Sequence, residues 1–169
     1  MDTAKAFIDR SRAYLTSEYL PKIRRSIQGL GQEDLWWRPN PASNSVGNLI
    51  LHLAGNARQW VVSGIGGEED VRCREDEFSE AGGMSADELL RKLESAMEEV
   101  DRVLLHLPTP RLEEKLLIQG MDVSVFEALY HVVEHFSMHT GQIIYLSKLR
   151  SGHDLGFYQV EDGKAKTMW

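Results

Sequence analysis

Residues 124–152 read Ser124-Val125-Phe126-Glu127, then ALYHVVEHFSMHTGQIIYLSKLRS, then Gly152. Ser124 and Glu127 form a capping box, in which each side chain accepts the other residue's free backbone N–H and so starts a helix. Val125, Leu129, Val132, Phe136, His139, Ile143 and Leu146 then recur at alternating steps of four and three. That rhythm is the narrow seam of a bundle helix. Gly152 supplies its C-terminal stop.

Three more helical segments are read upstream. One runs from about Thr3 to Gln28, with Pro21 inside it. A proline there removes a backbone hydrogen bond, so a kink or break is expected. A second starts near Asn44 or Ser45 and stops at Gly64, Gly66 and Gly67; Arg58 is the only charge between Pro41 and Gly67, so this helix is expected to be buried on most sides. A third opens with the capping box Ser85–Glu88, carries the seam Leu89, Leu93, Ala96, Val100, Val103 and Leu107, and is closed by Pro108 and Pro110. Glu68 to Gly83 reads as a long charged loop, and Leu116 to Val123 as a short extended connector. The expected fold is therefore all-α, a four-helix bundle with an extended connector before the last helix. The chain reads as a single domain over residues 1–169, with a C-terminal tail from about 154 to 169. Phe157, Tyr158 and Trp169 suggest that part of this tail docks.

Composition limits the function. A chain of 169 residues with a net charge of −7 lacks the basic face that nucleic acid or an anionic membrane would need. One cysteine, Cys73, excludes an internal disulfide framework and a cysteine-rich zinc site. Charges at Asp2, Lys5, Asp9, Arg10 and Arg12 argue against a signal peptide, and no apolar run is long enough to cross a bilayer. The expected compartment is the cytoplasm. Trp60, Val61 and Val62 sit together on a helix that is apolar on many sides, which points to a symmetric homodimer. Trp36 and Trp37 read as core or interface aromatics.

The histidines carry the chemistry. His131, His135 and His139 fall on the last helix at steps of four, close enough on one face for a pair to share a metal ion. At about 100° per residue, His139 lies about 35° from the seam centre, His135 about 75° and His131 about 115°. The pair His135–His139 is therefore favoured, with His131 on the rim. A third ligand has to come from another helix. His52 lies on an uncharged polar stripe, Ser45, Asn48, His52, Asn56, Gln59 and Ser63, which fits the lining of a half-buried site. A hydrogen-bonded core histidine is the alternative reading of His52. His131-Val132-Val133-Glu134-His135 also matches the inverted zinc-protease pattern, but that reading would use rim-facing His131 and leave His139 without a role. Cys73, between Arg72 and Arg74, reads as an incidental loop thiol, and the two arginines as solvated charges or an anion contact.

The same residues resemble a known family. Asn44 to Asn56 (NSVGNLILHLAGN), His131 to Ile143 (HVVEHFSMHTGQI) and the segment Asp34-Leu35-Trp36-Trp37-Arg38-Pro39 are similar to the signature segments of the DinB/YfiT-like superfamily of metal-dependent proteins. The resemblance covers nearly the whole chain and is nearest to an uncharacterised DinB-like branch. It implies a four-helix bundle, commonly dimeric, with a divalent metal on His52, His135 and His139. Zinc and nickel both suit imidazole ligands. Some members are S-transferases that use low-molecular-weight thiols, which implies a small-molecule substrate, and an ion held by three imidazoles is compatible with thiol transfer or hydrolysis. A non-catalytic, stress-related metal- or ligand-binding module is the alternative. Thr140 stands where many members carry an arginine, which weakens any role that needs a cation there.

Overall fold

The computed structural model describes residues 2–169. Four long helical segments dominate it. The first comprises α1 (Thr3–Ala13), a π-helical stretch (Tyr14–Tyr19) and α2 (Leu20–Ile27). After the short α3 (Gln32–Trp36) comes α4 (Val46–Ala57), continued by a second π stretch (Arg58–Ile65). Then follow α5 (Arg74–Ser79), α6 (Ala86–Leu105), a 3₁₀ turn (Thr109–Glu113) and α7 (Val125–Ser151). Pro21 does not break the first segment. It occupies the second position of α2, directly after the π stretch. The wider π turn relieves the ring's conflict with the preceding carbonyl.

The chain is mostly helical but not all-α. Strands β1 (Lys115–Ile118) and β2 (Met121–Ser124) pair antiparallel where the extended connector was expected. A second hairpin, β3 (Tyr158–Glu161) and β4 (Lys164–Thr167), lies in the tail and was not expected. Both turns, Gln119–Gly120 and Asp162–Gly163, hold two consecutive residues at positive φ, the conformation of a type I′ hairpin. The second hairpin buries nothing along its strands, so no hydrophobic alternation marks it. The tail does dock. Arg25 donates to the carbonyls of Leu155 and Met168, and the Lys22 ammonium lies 4.0 Å from the centre of the Trp169 ring.

Packing follows the seams. Val125, Leu129, Val132, Phe136 and Ile143 of α7 are buried against α2, α4 and both π stretches. On α6 the seam holds from Leu89 to Val100, after which Leu104 rather than Val103 takes the inner position. The capping boxes at Ser85 and Ser124 form as expected, and a third, Ser45 with Asn48, starts α4. Ser124→Ala removes the acceptor for the Glu127 N–H and should cost about 1 kcal/mol of unfolding free energy, measured by urea denaturation.

Two expectations are corrected. The segment from Glu68 to Gly83 is not simply a loop, because it contains α5. Trp60, Val61 and Val62 are buried within their own chain, where the second π stretch meets α6, α7 and β1. The helix is apolar on many sides because several elements of one chain cover it, so its composition no longer argues for a dimer. No helix among the described residues is long and apolar enough to cross a membrane.

Candidate metal centre

The site is built on α4 and α7. Ser45 and Asn48 cap the start of α4, and both side chains are fully buried. Asn48 Nδ2 also donates to the carbonyls of Glu77 (2.9 Å) and Glu80 (2.8 Å), which ties α5 onto α4. One turn further along α4, His52 points at α7. Its Nε2 lies 3.0 Å from His135 Nε2, which in turn lies 3.1 Å from His139 Nε2. Ligand atoms of all three lie within 4.8 Å of one another.

This spacing fits a cation. Ligands at about 2.0–2.1 Å from one ion stand about 2.9 Å apart at right angles and about 3.4 Å apart in a tetrahedron. The two observed contacts fall between those values. Charge agrees with geometry. Burial, and then the neighbouring His139, His52, His131 and Arg72, push the His135 pKa down to about 3. Burial also lowers that of His139, against a smaller upward effect of its contact with Gln142. Near neutral pH both imidazoles are therefore uncharged and able to offer a lone pair.

His131 lies outside this convergence. Burial lowers its pKa as well, but its ring packs 4.2 Å from that of Trp60 and 5.4 Å from that of His135. The angular ranking on α7 is half right. His131 stays outside the cluster as expected, but it is half-buried like His139, and His135 is the buried one. Angle about the helix does not fix cover: His52 of α4 meets His135, and Trp60 of the second π stretch packs on His131.

Glu77 escaped the sequence reading, and Arg72 was read only as a solvated charge or an anion contact, although both lie against His52. Glu77 Oε2 lies 2.9 Å from His52 Nδ1. Arg72 donates to both Glu77 oxygens, at 2.6 and 2.8 Å, and to Gln59 Oε1 at 2.8 Å. Side-chain exposures of 5% for Arg72 and 9% for Glu77 make this a buried ion pair, not a solvated loop. Burial alone would raise the Glu77 pKa, but hydrogen bonds and charge from Arg72, with the contact to His52, hold it below the usual carboxylate value. The one available signal was Gly55. A glycine inside a helix costs about 1 kcal/mol against alanine and so suggests a close approach. A Cβ on Gly55 would stand 2.0 Å from Glu77 Oε1.

Thr140 is buried. Arg72 approaches the histidines, with Nη2 3.1 Å from His52 Nδ1. Cys73 is a free, exposed thiol just before α5. It lines a cleft of about 530 Å³ between α4, α5 and α6, as do Arg72 and Glu77, but none of the three converging histidines does.

The family model described as "Protein of unknown function (DUF1572)" matches residues 2–164. The chain belongs to this family. Solved structures place the DUF1572 chain among DinB-like folds. A DinB-like protein from Bacillus cereus superposes with a TM-score of 0.64 at 17% identity, over 84% of this chain and 93% of its own. A conserved protein from Enterococcus faecalis gives 0.67 at 14% identity, over 89% and 96%. A DinB-like protein from Bacillus subtilis gives 0.64 at 15%, over 86% and 94%. Identities this low speak for a shared fold. No curated protein matches the sequence.

The low pKa of His135 has a consequence for stability. The unfolded chain takes up this proton near the ordinary histidine value of about 6.5, and the folded chain only near 3. Between those values the unfolded state binds more protons, so stability is full above the upper value and falls as pH drops through the window. The metal-free protein should melt at a lower temperature at pH 5 than at pH 7.5, as read by circular dichroism; Glu77 acts in the same direction at still lower pH.

Proposed function

We propose that this DUF1572 protein is a DinB-like metalloenzyme that binds zinc or nickel through His52, His135 and His139. The observation that carries the reading is the convergence of the three Nε2 atoms between α4 and α7. The shared DinB-like fold supports it. In this reading residues 1–169 form one domain, and the four long helical segments are the bundle that frames the site.

Three neutral imidazoles would leave a bound divalent ion its full charge and an open position, from which it lowers the pKa of bound water or thiol and polarises a substrate. The reaction is either transfer of a low-molecular-weight thiol to a small-molecule substrate or hydrolysis of that substrate. The chain contributes orientation and shelter. Phe78 packs its ring 4.9 Å from that of His52 and gives the site an apolar wall. The net charge of −7 supports a partner that is neither nucleic acid nor an anionic membrane, and we assign the protein to the cytoplasm. Exposed Tyr130, Met138, Tyr145 and Leu149 along α7 are the surface we assign to a homodimer.

One observation favours a second reading, a metal- or ligand-binding module without catalysis. Glu77, the carboxylate against His52, is already engaged by Arg72 and so is not free to act as a general base. Metal analysis of protein purified without chelator or nickel resin, followed by activity assays with a thiol panel against His52→Ala, separates the two. Stoichiometric metal with metal-dependent turnover supports the enzyme. Metal without turnover supports the module, and absence of metal from both preparations refutes the site.

A further inference from the structure

Burial of an ion pair behind the histidines needs an explanation. Taking a carboxylate and a guanidinium out of water is costly, and apolar residues would usually serve stability as well. Here the pair is placed against the back of one ring. His52 turns Nε2 toward His135 and Nδ1 toward Glu77 Oε2. The Arg72 guanidinium can only donate: three of its five N–H groups go to the two Glu77 oxygens and to Gln59, and its Nη2 also stands 3.1 Å from His52 Nδ1, farther than the 2.9 Å between Nδ1 and the Glu77 carboxylate. An ionised Glu77 can only accept, so the hydrogen of the His52–Glu77 contact sits on Nδ1. That leaves the lone pair on Nε2, pointing at the centre of the cluster.

We propose that Glu77 is the positioning residue of His52: its carboxylate fixes the Nδ1–H tautomer and ring angle, Arg72 fixes the carboxylate, and Gly55 leaves the space that brings it in. The inference rests on the metal reading of His52, His135 and His139. It extends the site from two helices to a third element, because Arg72 and Glu77 come from the segment between α4 and α6. His139 has a parallel arrangement on a smaller scale, with Nδ1 2.6 Å from Gln142 Oε1 of its own helix. Carboxylate partners of ligating histidines raise ligand basicity, and their loss typically weakens metal binding by about 10–100-fold.

The test compares the full-length protein with Glu77→Ala, Glu77→Gln and Gly55→Ala. Zinc affinity is measured by competition with a chromophoric chelator. The tautomer of His52 is read from imidazole ¹⁵N shifts in the metal-free protein. Glu77→Ala should lose about 100-fold in zinc affinity, and the His52 proton should no longer be confined to Nδ1. Glu77→Gln keeps an acceptor but no charge, so it should retain the tautomer and lose about 10-fold. Gly55→Ala leaves Glu77 in the sequence but displaces its carboxylate, and should follow Glu77→Ala. Where Glu77→Ala does not fold, Glu77→Gln and Gly55→Ala carry the comparison. Zinc binding within about twofold of the unmodified chain in Glu77→Gln and Gly55→Ala overturns the proposal, as does an Nε2–H tautomer of His52 in the unmodified protein. Failure of the unmodified protein to bind zinc at all refutes instead the metal reading on which the proposal rests.

Discussion

His135→Ala is expected to abolish stoichiometric zinc binding. His135 is the middle member of the cluster: its Nε2 is the one that meets both others, at 3.0 and 3.1 Å. Structural zinc sites with four protein ligands bind with about 10–16 kcal/mol of apparent free energy, so one ligand accounts for about 3 kcal/mol. At about 1.4 kcal/mol per tenfold, the loss exceeds 100-fold. His52→Ala and His139→Ala should behave in the same way. His131→Ala should stay within about twofold, because its ring packs on Trp60 and lies outside the convergence. Chelator competition, with metal content by mass spectrometry, reads all four variants. Loss at His131 with retention at His139 would instead favour the His-x-x-Glu-His reading.

Phe136→Ala should be the most damaging single change to the fold. Phe136 is 0% exposed, follows the central histidine directly, and packs its ring against Tyr19 of the first π stretch. Truncating a buried phenylalanine removes its transfer free energy and leaves a cavity that neighbours fill only partly, together about 3–5 kcal/mol. Domains are stable by only about 5–15 kcal/mol, so the variant should be marginal and its urea midpoint far lower. Tyr145→Ala on the same helix is the control. With Tyr145 69% exposed, its substitution should change stability by less than about 0.5 kcal/mol in the monomer.

What could be read in advance was local or periodic. Both four-and-three seams, the boxes at Ser85 and Ser124 and the stop at Gly152 depend on residues within a turn of one another. His135 and His139 were legible for the same reason, as an i,i+4 pair. His52 was harder, because its partner His135 is 83 residues away, and its uncharged stripe was the only local hint. The pairing of Arg72 with Glu77 was hardly legible. Their charges are those of a surface loop, and only Asn48 and Gly55, on a different helix, turn that segment inward. The tail hairpin was missed although Asp162–Gly163 is a standard turn signal, because its strands bury no alternating face.

The two π stretches bear on comparisons between relatives. A π turn closes its hydrogen bond over five residues instead of four, so it holds one residue more than an α turn. A relative whose helices are α throughout would therefore align with this chain only through a one-residue gap inside Tyr14–Tyr19 and another inside Arg58–Ile65. Without the gap, positions beyond each stretch are read about 100° out of phase, and inward residues such as Ile23 are assigned to water. His52 lies on a different helix from the first stretch and ahead of the second, and α7 contains none, so the three histidines keep their register once the intervening loops take up the extra residue. Gln59 and the residues after it up to Ile65 do not, and apparent variation among relatives there can arise from a shifted frame with no change in chemistry.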